Sequence, residues 1–230
     1  MTSLILASLI FLAIHFLVSG TGLRGGIVLL IGEVGYRVIH SIVALGSLIW
    51  LCVAYYSLDN RGMVLWDIPE NIRLATYPVI IVAFIFIIGG VTPNRPASDV
   101  EADNSSGAEN LDPVGGFLRI TRHPLMWGIG LWAIAHLINN GDVASQVFFG
   151  TFFLLTMAGS RQMDSKKLRS GEQGTEALFA ATSWLPFAAI AAGRNRLALG
   201  EIGWWRPVLG LVLTMALYRF HSDLFGVALY

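Results

Sequence analysis

Charge is what this sequence has least of. Only 13% of its 230 residues are Asp, Glu, Lys or Arg, about half the share found in an ordinary soluble domain. With 55% hydrophobic residues and a mean hydropathy of +0.65, the chain cannot coat a globule with charge. That excludes a water-soluble monomer, and the same apolar content excludes a disordered chain. Neither sign dominates: 15 Lys+Arg face 15 Asp+Glu, so no basic surface recommends nucleic acid as a partner. Cysteine occurs once, at Cys52, inside an apolar run. An internal disulfide and a cysteine-built zinc or iron–sulfur site are therefore excluded. No segment repeats another.

What is abundant is long apolar runs. A spanning helix needs about 20 mostly apolar residues, and six stretches come close: about Leu4–Ser19, Tyr36–Ser57, Ile72–Val91, Pro124–Ile138, Val143–Ser160 and Trp204–Phe220. The first has no Lys or Arg ahead of it and carries His15 within it, which reads as a retained helix rather than a signal peptide. The expected fold is all-α: a polytopic membrane bundle of about six transmembrane helices, forming one domain over 1–230. Residues 20–35 read as a Gly-rich turn, and 58–71 as a connection with Asp59, Arg61, Trp66 and Pro69. Residues 92–118, with the acidic, Ser/Asn-rich run Asp99–Asp112, read as a mobile polar loop. Residues 161–203 are the largest polar region and read as a cytoplasmic loop region. They include a short apolar piece, Trp184–Ala192.

Orientation follows from Lys and Arg. Connections on one side hold all but Arg61, Arg73 and Arg219. That side should be cytoplasmic, with both termini periplasmic, in a bacterial inner membrane. Trp66, Trp204, Trp205 and Tyr218 sit near the proposed helix ends, where interfacial aromatics anchor.

All five histidines, His15, His40, His123, His136 and His221, lie in these helices or at their edges. Ionisable groups in a bilayer are costly and usually face an interior or a cavity. Ser8, Leu12, His15 and Ser19 share one face of the first helix; Tyr36, His40 and Ser47 share one face of the second. His15 and His136 fall inside the hydrocarbon depth, His40 and His123 near its cytoplasmic edge, and His221 near the outer edge. His123 and His136 stand about 20 Å apart along one helix, so they cannot share a metal. With no thiolate or carboxylate nearby in sequence, a zinc site lacks ligands. A haem needs one or two axial side chains and an apolar slot, which His15 with His136 could supply. Pairing His15 with His40 or His123 would need a smaller separation.

The densest string is Arg119-Ile-Thr-Arg122-His123-Pro124-Leu-Met-Trp127-Gly128. Pro124 suits a first helical turn. Arg119 and Arg122, at the cytoplasmic edge, could grip a phosphate, a carboxylate or a haem propionate bidentately, or serve only as positive-inside anchors. In Asn139-Asn140-Gly141-Asp142, the aspartate should cap the following helix.

Together, Ile14-His15, Tyr36-Arg37, Ile120-Thr121-Arg122-His123-Pro124, Trp127-Gly128, Ala135-His136 with Asn140-Gly141-Asp142, Thr182-Ser183-Trp184-Leu185-Pro186-Phe187 and His221 with Leu224-Phe225-Gly226-Val227 resemble the NnrU family of bacterial membrane proteins. The resemblance runs across essentially the whole chain. It includes relatives of 15-cis-zeta-carotene isomerase, a haem b membrane enzyme. It implies haem b held by His15 and His136, with His123 matching a further family histidine. It also implies cis–trans isomerisation of a hydrophobic polyene in contact with membrane lipid. The family's bacterial namesake implies an alternative, a haem-containing accessory protein of nitrite and nitric oxide respiration with nitric oxide as ligand.

A second resemblance covers Arg122-His123-Pro124-Leu-Met126-Trp-Gly128 alone. It is similar to the Arg-His-Pro-x-Tyr-x-Gly string of isoprenylcysteine and phospholipid methyltransferases, and implies S-adenosylmethionine. Met126 stands where the tyrosine would be, and Met163-Asp164 where an acidic pair would follow.

Overall fold

Inside a bilayer every backbone N–H and C=O needs an internal partner, so apolar runs fold as helices. The computed structural model describes residues 1–18, 21–92 and 114–226, and they are all-α, with no strand among them. In chain order the helices are α1 (Thr2–Ala13), α2 (Leu23–Tyr56), α3 (Glu70–Ala75), α4 (Tyr77–Val91), α5 (Pro124–Asn139), α6 (Val143–Ser170), α7 (Thr175–Ala181), α8 (Ala188–Ala191), α9 (Leu199–Ile202) and α10 (Trp205–Phe225). A π-turn, Ile14–Val18, continues α1, and a 3₁₀ turn, Gly116–Arg119, precedes α5. Leu23–Tyr56, Glu70–Val91, Val143–Ser170 and Trp205–Phe225 are long and apolar enough to cross a membrane. Thr2–Val18 and α5 are shorter apolar helices. This is a membrane protein by the length and composition of its helices.

Three expectations change. The Gly-rich stretch 20–35 is helical from Leu23 onward, because a lipid-exposed turn would leave backbone groups unpaired. Only Gly32 departs, at φ 75° and ψ 165°, a conformation open to glycine and strained for other residues. Helix α6 runs ten residues past Ser160, carrying its polar turns Arg161–Ser170 as helix. The region 161–203 is broken into short helices rather than one loop. The polar run Asp99–Asp112 lies outside the described residues.

Contacts group the chain into two units, each assembled from two separate stretches: Met1–Thr76 with Ala133–Lys166, and Tyr77–Trp132 with Lys167–Tyr230. In the first unit, α1 packs on α2, and Leu4, Ala7 and Leu51 are fully enclosed. The connection after α2 is pinned to the start of α6. Val143 and Ala144 donate their N–H groups to the carbonyls of Met63 and Arg61, at 3.1 and 3.0 Å. These are donors that a helix start leaves unpaired. Asp142 caps α6 as expected, accepting from the Ser145 N–H at 2.9 Å and its hydroxyl at 2.6 Å. A Cβ on Gly141 would collide with the Trp66 carbonyl. In the second unit α4 packs on α10, with Gly210 against Ile85. Phe86, Phe117 and Ile120 form its core.

Candidate functional site

His15 stands in the π-turn that ends α1. Such turns widen the helix by one residue, free backbone groups, and recur at functional sites. Here the Phe16 carbonyl accepts from Gln162 Nε2 of α6 at 3.0 Å. His15 Nδ1 lies 2.7 Å from the Phe11 carbonyl, one turn back. A carbonyl only accepts, so Nδ1 carries a proton, and in the neutral ring the lone pair is on Nε2. Among the described residues Nε2 has no hydrogen-bond partner. The Phe11 ring stands 4.6 Å from the imidazole.

The second helix meets this face with its own. Beyond the Gly32 kink, Glu33 accepts from Arg24 at 2.6 Å and from Arg37 at 2.9 Å. The Arg24 guanidinium lies over the Tyr36 ring at 5.2 Å. Tyr36 stacks on His40 at 5.4 Å. The His40 ring stands 6.0 Å from that of His15, their planes at 70°. The two polar stripes expected on separate helices thus converge, and both imidazoles are half-buried. Ser8, one stripe member, is buried with its hydroxyl unpartnered.

His136 belongs to a different level of the same unit. It stacks on Phe149 of α6 at 4.6 Å. Phe16, beside His15, contacts Gly159 and bonds Gln162, ten or more residues further along α6. The two histidines therefore sit on the order of 15 Å apart along the helix axis. Between them runs a file of rings: Phe11 to Phe152 at 5.9 Å, Phe152 to Phe148 at 5.3 Å, and Phe148 to Phe149 at 5.1 Å.

The Arg119–Pro124 string lies in the second unit, docked on the Thr182–Phe187 string. Arg122 N–H donates to the Ser183 carbonyl at 3.0 Å, and Phe187 N–H to the Ile120 carbonyl at 2.8 Å. The Trp184 carbonyl accepts from the Thr121 hydroxyl at 2.7 Å and Trp127 Nε1 at 2.8 Å. Arg119 does not face an open anion site. Its guanidinium, 5% exposed, binds Glu201 through Nε at 2.7 Å and Nη2 at 2.9 Å, with Asn195 on Nη1 at 2.9 Å. Arg122 lies over the Phe179 ring at 4.1 Å and donates to Thr182 at 3.2 Å. His123 directly precedes α5, and its N–H donates to the Thr121 hydroxyl at 3.3 Å. The His221 ring stands 5.0 Å from that of Phe225, tilted by 54°. The same unit holds an apolar cavity of about 680 Å³, walled by residues including Val82, Phe86, Phe117, Ile120, Phe187 and Trp204.

Sequence reading missed Gln162 and the partners of Arg119. Glu201 alone had a signal, as the single acid among Arg194, Arg196 and Arg206. No cluster of three or more His, Cys, Asp or Glu that could hold a metal occurs among the described residues.

The family model described as NnrU protein matches residues 3–229. The chain is similar to 15-cis-zeta-carotene isomerase, chloroplastic, of Zea mays, 28% identical over 84% of this chain and 52% of the relative. It is also similar to the enzyme of that name from Arabidopsis thaliana, 27% identical over 72% of this chain and 44% of the relative. The chain thus spans about half the length of the curated relatives it matches. No solved structure matches it.

Proposed function

Because the chain belongs to the NnrU family, we propose that it is a membrane cis–trans isomerase of a hydrophobic polyene. The observation that carries this reading is the similarity of its sequence to proteins named as 15-cis-zeta-carotene isomerases. The apolar cavity of about 680 Å³ supports it, since such walls suit a hydrocarbon that offers no polar group. Rotation about a double bond transfers no atom and no net electron to or from another molecule, so no co-substrate is required.

Haem b is the cofactor this reading calls for, and His15 is a residue that would hold it. Metal-bound imidazoles almost always donate their second nitrogen to a carbonyl or carboxylate, as His15 Nδ1 does to Phe11. When bound, the haem iron would accept electron density from the polyene and lower its rotation barrier. The remaining work falls to the chain itself. The Phe11 carbonyl sets the tautomer of His15, and Phe11 and Tyr36 hold the two imidazoles in place. The apolar walls exclude water. Arg122 is a cation suited to an anionic group such as a lipid headgroup, while Arg119 secures Glu201. We place the protein in a bacterial inner membrane with both termini periplasmic.

The test is expression, in darkness, in a host that accumulates the 15-cis polyene, followed by chromatographic separation of isomers. The expected result is conversion at the central bond in the expressing strain and none in the vector control. An unchanged isomer ratio, with protein present in the membrane, overturns the isomerase reading.

A further inference from the structure

The apolar cavity of the second unit has a closed end and an open one. Phe86, Phe117 and Ile120 form the closed end, and Phe117 is only 1% exposed. Its ring is fixed there: it stands 5.8 Å from that of Phe86, edge to face, and a Cβ on Gly89 would collide with it. Leu199 and Trp204 form the open end, where Trp204 is 78% exposed. A pocket blind at one end takes a chain end-on. We propose that this cavity takes one arm of the polyene, end first, and that Phe86 and Phe117 set how long an arm it accepts. The inference rests on the isomerase reading above and names the part of the substrate that the cavity holds.

Volume favours one arm over the whole chain. A cavity of about 150 Å³ holds benzene, or about 25 Å³ per carbon. At that density about 680 Å³ holds about 27 carbons. A carotene has forty carbons, half of them on each side of its central double bond, so one arm fits and the whole molecule does not. The central bond of a seated chain then stands toward Leu199 and Trp204. The walls favour a hydrocarbon over a lipid tail. Every residue lining the cavity is Val, Ile, Leu, Phe, Gly, Pro or Trp, so a headgroup meets no charged side chain among them. The polar groups of α9, which supplies part of the wall, have their own partners. The Glu201 carboxylate accepts from Arg119 at 2.7 Å and from the Gly116 N–H at 3.1 Å. Arg206 Nη1 donates to the Glu201 and Ile202 carbonyls at 3.3 and 2.5 Å. An apolar cavity of this kind stays dry and admits apolar guests.

The test offers two 15-cis polyenes, in darkness, to membranes containing the full chain: the forty-carbon carotene and a thirty-carbon homologue with shorter arms. Val82→Trp on α4 and Gly200→Leu on α9 together add eleven heavy atoms. At the same density they fill about 275 Å³ and leave room for about 16 carbons, enough for the shorter arm alone. A Cβ on Gly200 meets nothing within 4 Å, so the added side chain has space. The wild type should convert both polyenes. The double variant should convert the longer one about tenfold more slowly and the shorter one at the wild-type rate. Val212→Phe, on an exposed face of α10 outside the cavity, should convert both as the wild type does. With protein present in the membrane, a double variant that keeps both conversions, or loses both alike, overturns the proposal. If the double variant does not accumulate, Val82→Trp alone decides by the same ratio. A wild type that converts neither polyene overturns the isomerase reading instead. The cavity is then judged by the polyene that copurifies, which the wild type should retain and the double variant should lose about tenfold. A wild type that retains a phospholipid in place of the polyene, shed by the double variant, overturns the proposal.

Discussion

The surroundings of Arg119 and of His15 handle polar groups in opposite ways. Around Arg119 each nitrogen of the guanidinium has an acceptor, and two sequence strings some 60 residues apart are stitched by backbone and side-chain hydrogen bonds. Around His15 the neighbours are rings, and among the described residues one imidazole nitrogen has a hydrogen-bond partner while the other has none. A saturated buried network specifies a structure, and removing one member leaves the others unpaired. A ring lodged among other rings, with a nitrogen that meets no hydrogen-bond partner among the described residues, is poised for a ligand at little cost to the fold. The first arrangement should register mutations as lost stability, the second as lost binding.

That contrast can be broken by thermal unfolding of variants in one detergent. Arg119→Ala should be the most damaging, because it strands Glu201 in a buried site; about 3–5 kcal/mol is the usual cost of breaking such a pair. A variant that melts with the wild type would show the pair to be dispensable. Gly141→Ala should cost about 1–3 kcal/mol, since its methyl displaces the Trp66 carbonyl and with it the bond from Trp66 Nε1 to Ile138. Asp142→Ala should cost about 1 kcal/mol for the lost cap. If that variant keeps its melting temperature, Asp142 has another reason to be there. His15→Ala should change stability least, by less than about 1 kcal/mol, since its hydrogen bond is local to one turn. Yet hemin uptake should vanish in it. A large loss of stability in His15→Ala would place His15 with Arg119 as a structural residue.

Much of the fold was legible from local patterns. Pro124 opens α5 and Asp142 caps α6, because both effects act within one helical turn. Each apolar run became a helix. The boundaries read less well. Gly25 and Gly26 weaken a helix in water, but the need to pair backbone groups keeps Leu23–Ile31 helical, and only Gly32 yields. The candidate site was legible by face and not by partner. Ser8 with His15, and Tyr36 with His40, were each readable as stripes, since 3.6-residue periodicity fixes which residues share a side. Arg119 was read as a grip for an external anion, and its guanidinium instead binds Glu201, 82 residues away.

Composition alone determined that this chain lives in a membrane as helices: there is too little charge for any other surface, and no water to pair an irregular backbone. The order of residues also singled out the histidines, because the Asp, Glu, Lys and Arg residues lie at the edges of the apolar runs or between them. Only the tertiary structure decided which of them meet. The order of residues along a helix sets a face and a depth, but the register between two helices depends on how side chains interlock across the contact. That register brings His40 rather than His136 to within 6.0 Å of His15, and it is written in the packing of Phe11, Tyr36 and the Gly32 kink rather than in any one segment.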